Sequence, residues 1–182
     1  MEAKQPKEIQ TRRLRLVPVT PELSRLERID RVALAERLGA EVPDNWPPEI
    51  LADVQDYFDD LLTEHPDWVG WLGWYVLQRE DSVLVASIGF HGPPDAHGQV
   101  EIGYSVLPQF QQRGYATEMA GALIDWALQQ EGVRAIRAEV NDANNASLAV
   151  LKKLAFARLG PGTELGDSAY RLAPDDLEQI GP

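Results

Sequence analysis

Residues 100–128 read VEIGYSVLPQFQQRGYATEMAGALIDWAL. The opening letters are rich in β-branched, aromatic and apolar residues, and they predict a strand over residues 100–107. Pro108 ends this strand because proline has no N–H group to donate to a β ladder. Apolar side chains then recur at helical spacing and predict a helix over residues 117–130. The stretch is therefore predicted to form a strand, a polar loop and a helix.

The loop before the predicted helix has features that favour anion binding. The first backbone N–H groups of a helix have no partner within the helix, and the helix dipole is positive at that end. Gly114 has no Cβ, so a diphosphate group can approach the backbone closely, and Ala116 keeps a nearby position small. An ordinary turn with one glycine is the alternative interpretation. The chain has neither G-x-G-x-x-G nor G-x-x-x-x-G-K-[ST], which argues against a nicotinamide enzyme and a P-loop NTPase.

The rest of the chain predicts an α/β fold with a central mixed sheet and helices on both faces. Strands are predicted over residues 13–17, 71–78, 83–90, 100–107, 133–140, 157–159 and 169–172. Helices are predicted from Thr20 to about Leu38, from Pro47 to Pro66, and over residues 117–130 and 145–154. The length of 182 residues suits one domain, which we place at residues 11–173. Residues 1–10 are expected to be loosely ordered, and residues 174–182 are expected to form a tail.

The composition argues against several classes of function. The 29 acidic and 17 basic residues give a net charge of −12, which argues against nucleic-acid binding. The absence of cysteine excludes disulfides, thiolate metal sites and a cysteine nucleophile, and it favours the cytoplasm. No signal peptide and no apolar run long enough for a membrane span are present. The acidic residues concentrate between Glu41 and Asp67, where they form either a solvated helix face or an electrostatic funnel for a cationic partner.

The spacing Gln111-x-x-Gly114-x-Ala116 resembles the acyl-CoA signature [QR]-x-x-G-x-[GA] of the GNAT acetyltransferases. The surrounding motifs resemble the subgroup that contains the ribosomal-protein acetyltransferases RimJ and RimL. These motifs are Thr11-Arg12-Arg13-Leu14-Arg15-Leu16, Glu101-Ile102-Gly103-Tyr104, Asn144-Asn145-Ala146-Ser147 and Val150-Leu151-Lys152-Lys153-Leu154-Ala155-Phe156. The resemblance covers roughly residues 11–172.

This resemblance implies a mostly antiparallel sheet whose fourth and fifth strands, here residues 100–107 and 133–140, splay apart to admit acetyl-CoA. It implies that the signature loop, which begins at Gln111, holds the pyrophosphate through Gln112, Arg113, Gly114, Tyr115, Ala116 and Thr117. It also implies that Ser105, Val106 and Leu107 pair with the pantetheine arm like an added strand, and that Asn144 binds this arm.

Three residues are candidates for catalysis. An amine near pKa ~10 must lose a proton before it attacks a thioester. Glu101 and Glu139 match positions where some family members carry a catalytic or water-holding Glu; each alternatively forms a salt bridge, Glu139 with Arg137. Ser147 matches the serine that RimL-like members use as the acid, because the Tyr common elsewhere in the family is replaced by Leu151. Ser147 alternatively caps or bonds the local backbone.

Two further groups of residues have competing interpretations. His91, Asp95 and His97 share one loop, but loop histidines without a fourth ligand are usually surface residues, so no metal is predicted. His91 is instead expected to lie near the acceptor site. The clustered Trp68, Trp71 and Trp74 are expected to pack in the core or at an interface rather than to stack on an acceptor.

The last helix is expected to end at Ala155. The family pattern there is K-L-G-F, whereas this chain has Lys153-Leu154-Ala155-Phe156. Glycine suits this position because helices commonly end with a left-handed residue, so Ala155 is expected to adopt that conformation. The alternative is a helix that continues through Ala155.

The sequence therefore predicts an acetyl-CoA-dependent N-acetyltransferase. A chain without cysteine cannot form a cysteinyl acyl-enzyme, which favours direct attack by the amine in a ternary complex. The acceptor is expected to be a cationic small molecule or peptide with a primary amine, and the protein is expected to be a monomer or homodimer. The alternative is an acyl-CoA-binding module with weak or no catalysis.

Overall fold

The computed structural model describes residues 6–48, 51 and 54–174. The strands are β1 (Ile9–Gln10), β2 (Leu14–Pro18), β3 (Trp74–Gln78), β4 (Val83–Phe90), β5 (Gln99–Val106), β6 (Ala135–Asn141), β7 (Ala157–Pro161) and β8 (Asp167–Leu172). The helices are α1 (Pro21–Ile29), α2 (Arg31–Leu38), α3 (Gln55–Glu64), α4 (Tyr115–Leu128) and α5 (Asn145–Lys153). None of the helices in these ranges is long and apolar enough to cross a membrane.

The strands form one sheet in the order β1-β2-β3-β4-β5-β6-β8-β7. Every neighbouring pair is antiparallel except β5 and β6, which are parallel. The predicted mixed, mostly antiparallel sheet is therefore confirmed.

The strands β5 and β6 pair over three residues only. Gln99 faces Ala135, Val100 faces Ile136 and Glu101 faces Arg137. Beyond Glu101, β5 continues along β4, whereas β6 continues along β8. The two strands therefore splay apart after Glu101, as predicted, and leave the facing backbone groups of β5 open to a ligand.

Helices pack on both faces of the sheet because successive strand side chains point to opposite sides. In β3, Trp74 and Val76 join the core beneath α4 and α5, while Tyr75 and Leu77 join a second core with α1, α2 and α3. The prediction that the tryptophans pack in the core is confirmed: Trp74 is fully buried, the Trp71 ring lies 5.0 Å from that of Trp126, and Trp68 packs against the second core.

The helix predicted from Thr20 to Leu38 is divided into α1 and α2. The Thr20 side chain caps α1 by accepting from Leu23 N–H at 3.2 Å, and Gly39 ends α2 at φ 59°, both as predicted. Asp30 interrupts the helix because its carboxylate accepts from Ala33 N–H at 3.0 Å and starts α2 as a new N-cap.

Several element boundaries differ from the sequence expectations. The strand expected over residues 71–78 starts at Trp74, and the helix expected over 117–130 starts two residues earlier, at Tyr115. Ile9 and Gln10, assigned to a loosely ordered terminus, form β1 against β2. The described part of the helix expected from Pro47 is α3, while residues 1–5, 49–50, 52–53 and 175–182 lie outside the described ranges.

Candidate active site

The loop before α4 presents a row of backbone donors. Gly114, at φ 78°, is the N-cap of α4, and no side chain caps this helix. Glu118 N–H donates to Gly114 O at 3.2 Å, but the N–H groups of residues 112–117 donate to no group in the described part of the chain. Unpaired donors at the positive end of a helix are suited to an anion.

Arg13, the residue directly before β2, holds this loop in place. Its Nη1 donates to Arg113 O at 2.9 Å, its Nε donates to a Glu118 carboxylate oxygen at 2.7 Å, and its guanidinium lies 4.8 Å from the Tyr115 ring centroid. A Cβ on Gly114 would lie 3.4 Å from Arg13 Nη2. Partial burial opposes ionisation of Glu118, but hydrogen bonds from Thr11 and Arg13 lower its pKa below the ordinary value. Sequence reasoning missed this role, because Arg13 and the loop are about a hundred residues apart.

Two side chains of the signature loop bind the protein itself. Gln111 Nε2 donates to Val106 O at 3.0 Å, which fixes the loop to the end of β5. Arg113 donates to Gln109 O at 3.0 Å, and its guanidinium lies 5.4 Å from the Phe110 ring centroid. Gln111 and Arg113 therefore shape the loop in this conformation.

The end of β5 offers one of the three predicted pantetheine partners through its backbone. Leu107 is fully buried; its N–H donates to Val85 O and its carbonyl accepts from Phe110 N–H, both at 2.9 Å. The Leu107 N–H is thus already paired within the protein, and its role toward the pantetheine arm stays a prediction. Ser105 pairs with Ser87 of β4, and alternation points its backbone groups toward β4 as well. Val106, between them, points its N–H into the gap.

A cavity of about 520 Å³ runs from this gap toward α1 and α3. Asn144, Ser147 and Ser105 line it near the gap, and Glu27, Trp46 and Phe58 line it near the helices. One connected space therefore lies next to both the expected acyl-donor site and the helical layer.

His91 and Glu101 form a pair beside this cavity. His91 Nδ1 lies 3.2 Å from Glu101 Oε1, and this hydrogen bond raises the pKa of His91 despite partial burial. A Cβ on Gly103 would lie 3.4 Å from His91 Nε2. His91 lines the cavity, whereas Glu101 lies behind it. The sequence expectation that His91 lies near the acceptor site agrees with this geometry, but its pairing with Glu101 was missed.

Glu139 lines the cavity, but its carboxylate is already hydrogen-bonded. One oxygen accepts from Thr163 N–H at 2.9 Å and from Thr163 Oγ1 at 2.7 Å, and the other lies 3.5 Å from Arg137. The Thr163 bonds lower the pKa of Glu139. A carboxylate held in its ionised form by these partners is a weak base, which leaves the pair of His91 and Glu101 as the stronger candidate.

Ser147 lies in the first turn of α5, next to the gap. Asn144 Oδ1 accepts from Ser147 N–H at 3.1 Å and caps the helix, which leaves Asn144 Nδ2 as a donor. The Tyr104 hydroxyl is buried beside Ser147. Burial raises the pKa of Tyr104, although its interaction with Ser147 acts to lower this pKa. Two hydroxyl groups thus border the gap, and the sequence pattern pointed only to Ser147.

The loop with His97 and Asp95 has a structural role. Asp95 Oδ1 accepts from His97 N–H at 2.8 Å and from Gln99 N–H at 2.9 Å, and these bonds lower the pKa of Asp95. Across residues 6–48, 51 and 54–174, no group of three or more His, Cys, Asp or Glu side chains is arranged to hold a metal ion.

The acidic stretch between Glu41 and Asp67 is partly neutralised from outside. Arg28 of α1 lies 3.2 Å from Asp56 and 2.5 Å from Asp59, and Arg31 lies 3.7 Å from Asp44. Glu49 and Asp53 lie outside the described residues. The sequence has no Lys or Arg within the stretch, but Arg28 of α1 and Arg31 of α2 place two positive charges next to it.

Comparisons with known proteins agree with this architecture. Residues 13–157 match the acetyltransferase (GNAT) domain family. The uncharacterized N-acetyltransferase YjdG of Bacillus subtilis is 33% identical over 149 residues, which are 81% of this chain and 88% of that protein.

Solved structures share the fold at lower identity. RimL, a ribosomal L7/L12 alpha-N-protein acetyltransferase in complex with coenzyme A, gives a TM-score of 0.67 at 16% identity, covering 93% of this chain and 99% of that chain. RimJ of Mycobacterium smegmatis in complex with CoA-disulfide gives a TM-score of 0.65 at 18% identity, covering 94% of this chain and 90% of that chain. The family match and the identity to YjdG show that this chain belongs to the GNAT family of N-acetyltransferases, with RimJ and RimL among its structural neighbours.

Proposed function

We propose that this protein transfers an acetyl group from acetyl-CoA to a primary amine by direct attack in a ternary complex. The observation that carries the proposal is the row of unpaired N–H groups at residues 112–117, which ends beside a splayed strand pair and a connected cavity. An anion site, an open strand edge and an acceptor space therefore follow one another along a single path.

The described residues fit acetyl-CoA as the acyl donor. The N–H groups around Gly114 suit a diphosphate, since they act locally and the net charge of −12 acts at longer range. The open edge of β5 beyond Glu101 suits the amides of a pantetheine arm, which adds to β5 like a strand. Asn144 Nδ2 supplies a further donor at the gap. Acetyl-CoA brings a thioester carbon that an amine can attack.

His91 acts as the base, and Glu101 positions it. Because Nδ1–H donates to Glu101, Nε2 is left as the acceptor that faces the cavity. The raised pKa brings His91 closer to neutral pH, where a general base is most effective. The amine nitrogen bonds to the acetyl carbon, its proton passes to His91 Nε2, and the carbon–sulfur bond breaks with its electron pair on sulfur.

The departing sulfur takes a proton from the hydroxyl groups that border the gap. Ser147 donates this proton, and the Tyr104 hydroxyl beside it can return one to Ser147. The Val106 N–H faces the same gap and can stabilise negative charge on the acyl oxygen. The products are an N-acetylated amine and CoA.

A binding module without catalysis is the second candidate. The observation that favours it is the buried Leu151, which occupies the position where much of the family carries the Tyr that acts as the general acid. Binding of acetyl-CoA does not separate the two candidates, but release of CoA does.

The test is a thiol-release assay with acetyl-CoA and a panel of primary amines. The chain has no cysteine, so the protein contributes no thiol of its own to the signal. We expect amine-dependent release of CoA, and a loss of about a hundredfold or more in kcat for His91→Gln, the usual scale of general base catalysis. His97→Gln is the matched control, because His97 lies in the adjacent loop outside the cavity lining. Tight binding of CoA, together with no release of CoA above the hydrolysis of acetyl-CoA for any amine, would instead identify a binding module.

A further inference from the structure

Glu27 places a carboxylate at the helical end of the cavity. Its two oxygens accept from the Tyr75 hydroxyl at 2.6 Å and from Trp46 Nε1 at 2.5 Å. Gln55 also lines this end, and the buried nitrogen of its side-chain amide lies beside the Glu27 carboxylate, where it acts to lower the pKa of Glu27. Three elements, α1, α3 and β3, therefore aim polar atoms at one point.

The Glu27 carboxylate has no cationic partner. In the described part of the chain, no Lys, Arg or His nitrogen lies within 4.0 Å of it. Burial raises the pKa of Glu27 most strongly, and Asp59, a charge of the same sign, also raises this pKa. The hydrogen bonds from Tyr75, Trp46 and Gln55 only partly oppose the rise in pKa. A partly buried carboxylate without a cation is unfavourable in its charged form, and an incoming cation stabilises that form.

The walls around Glu27 suit an ammonium on an apolar chain. The rings of Trp46 and Tyr75 lie 5.9 Å apart at 70°, and both border the carboxylate. Phe58, Leu62 and Leu72 line the cavity between this point and the sheet. Aromatic faces attract cations, and apolar walls favour methylene groups over water.

We propose that the acceptor is a diamine-like molecule whose second ammonium binds Glu27 while its first reaches His91. The proposal rests on the proposed function for the reacting end, and it adds the binding site at the opposite end of the cavity. Glu27 and His91 line the same cavity, so one extended ligand can meet both. The ligand class is a primary amine with an apolar spacer and a second positive charge.

A purely structural role for Glu27 is the competing explanation, since its bonds join α1 to Trp46 and to β3. Glu27→Gln separates the two roles. Glutamine keeps the length of the side chain and an oxygen that accepts hydrogen bonds, but it removes the negative charge. Glu22→Gln is the matched control, because it makes the same change on α1 at a side chain that is 62% exposed and outside this cavity.

The experiment measures binding by calorimetry in the presence of CoA, so its readout does not depend on turnover. The probes are linear diamines of four to eight carbons and the monoamines of equal carbon number. We expect the wild type and Glu22→Gln to bind the best diamine at least about tenfold more tightly than its matched monoamine, as a desolvated ion pair with cation–π support allows. Glu27→Gln should lose this preference and keep its affinity for the monoamine.

Equal binding of diamines and monoamines by the wild type, or no binding of either, would overturn the proposal. A diamine preference that survives in Glu27→Gln would overturn it as well. Failure of the thiol-release assay leaves these binding results readable, so the two proposals can fail separately.

Discussion

Ala155 follows the end of α5 in a backbone conformation that suits glycine. It has φ 62°, in the left-handed region. Phe156 N–H donates to Leu151 O at 3.0 Å, and Ala155 N–H donates to Lys152 O at 3.2 Å. These two bonds form a Schellman motif, in which glycine normally occupies the place of Ala155. The left-handed expectation for Ala155 is thereby confirmed.

Ala155→Gly should therefore stabilise the protein. A left-handed Cβ is unfavourable by about 1–2 kcal/mol. Glycine gives the unfolded chain extra entropy that offsets about 0.4–1 kcal/mol of this gain. The net expectation is about 0.5 kcal/mol, which corresponds to a rise of about 1–2 °C in Tm for a chain of this size. Thermal unfolding measures it, and acetyl transfer should be unchanged.

Ala149→Gly is the matched control. Ala149 is exposed inside the same helix, where glycine is unfavourable by about 0.5–1 kcal/mol relative to alanine. The two substitutions change the same atoms and should shift Tm in opposite directions. A decrease in Tm for Ala155→Gly as large as that for Ala149→Gly would refute the reasoning from the left-handed backbone.

Three further predictions concern the site. Glu101→Gln keeps an oxygen that accepts from His91 but removes the negative charge that raises the pKa of His91, so the acidic limb of kcat/KM, where His91 loses its proton, should move to lower pH; an unmoved limb would contradict the pairing. Ser147→Ala should lower kcat without weakening CoA binding, and Tyr104→Phe should do the same to a smaller extent; full kcat in both would exclude these hydroxyl groups as acids. Rates at subsaturating cationic acceptor should fall as salt rises, because the Debye length is about 10 Å at 0.1 M; a flat dependence would make the acidic stretch a solvated face.

The fold was predictable where local patterns carry the information. The strand–loop–helix around Gly114, the caps at Thr20 and Gly39, and the gap between β5 and β6 all follow from the motifs or from the family resemblance. The break at Asp30 was missed because apolar spacing continues across it, while the side chain competes for backbone N–H groups. Element ends such as Tyr115 depend on packing that periodicity does not record.

The site was predictable only in part, because several of its contacts join residues distant in sequence. The signature loop was found, but not Arg13 bound to Arg113 or Glu27 bound to Tyr75. The pairing of the Leu107 N–H with Val85 O was not predictable, because sequence gives no direction to a backbone N–H until the register with β4 is known. Glu139 and Glu101 looked alike, and only the bonds of each carboxylate distinguish them.

The most direct test of the anion site at residues 112–117 is a calorimetric titration of CoA into Gly114→Glu and Gly132→Glu. Both glycines have left-handed φ values, 78° and 87°, so the two variants carry similar strain and the same added charge. Gly132 lies beyond the opposite end of α4, a helix of 14 residues and so about 20 Å long. The wild type and Gly132→Glu should bind CoA, and folded Gly114→Glu should not, because its carboxylate occupies the place of the diphosphate. Wild-type affinity in folded Gly114→Glu would contradict the central claim that this loop binds acetyl-CoA.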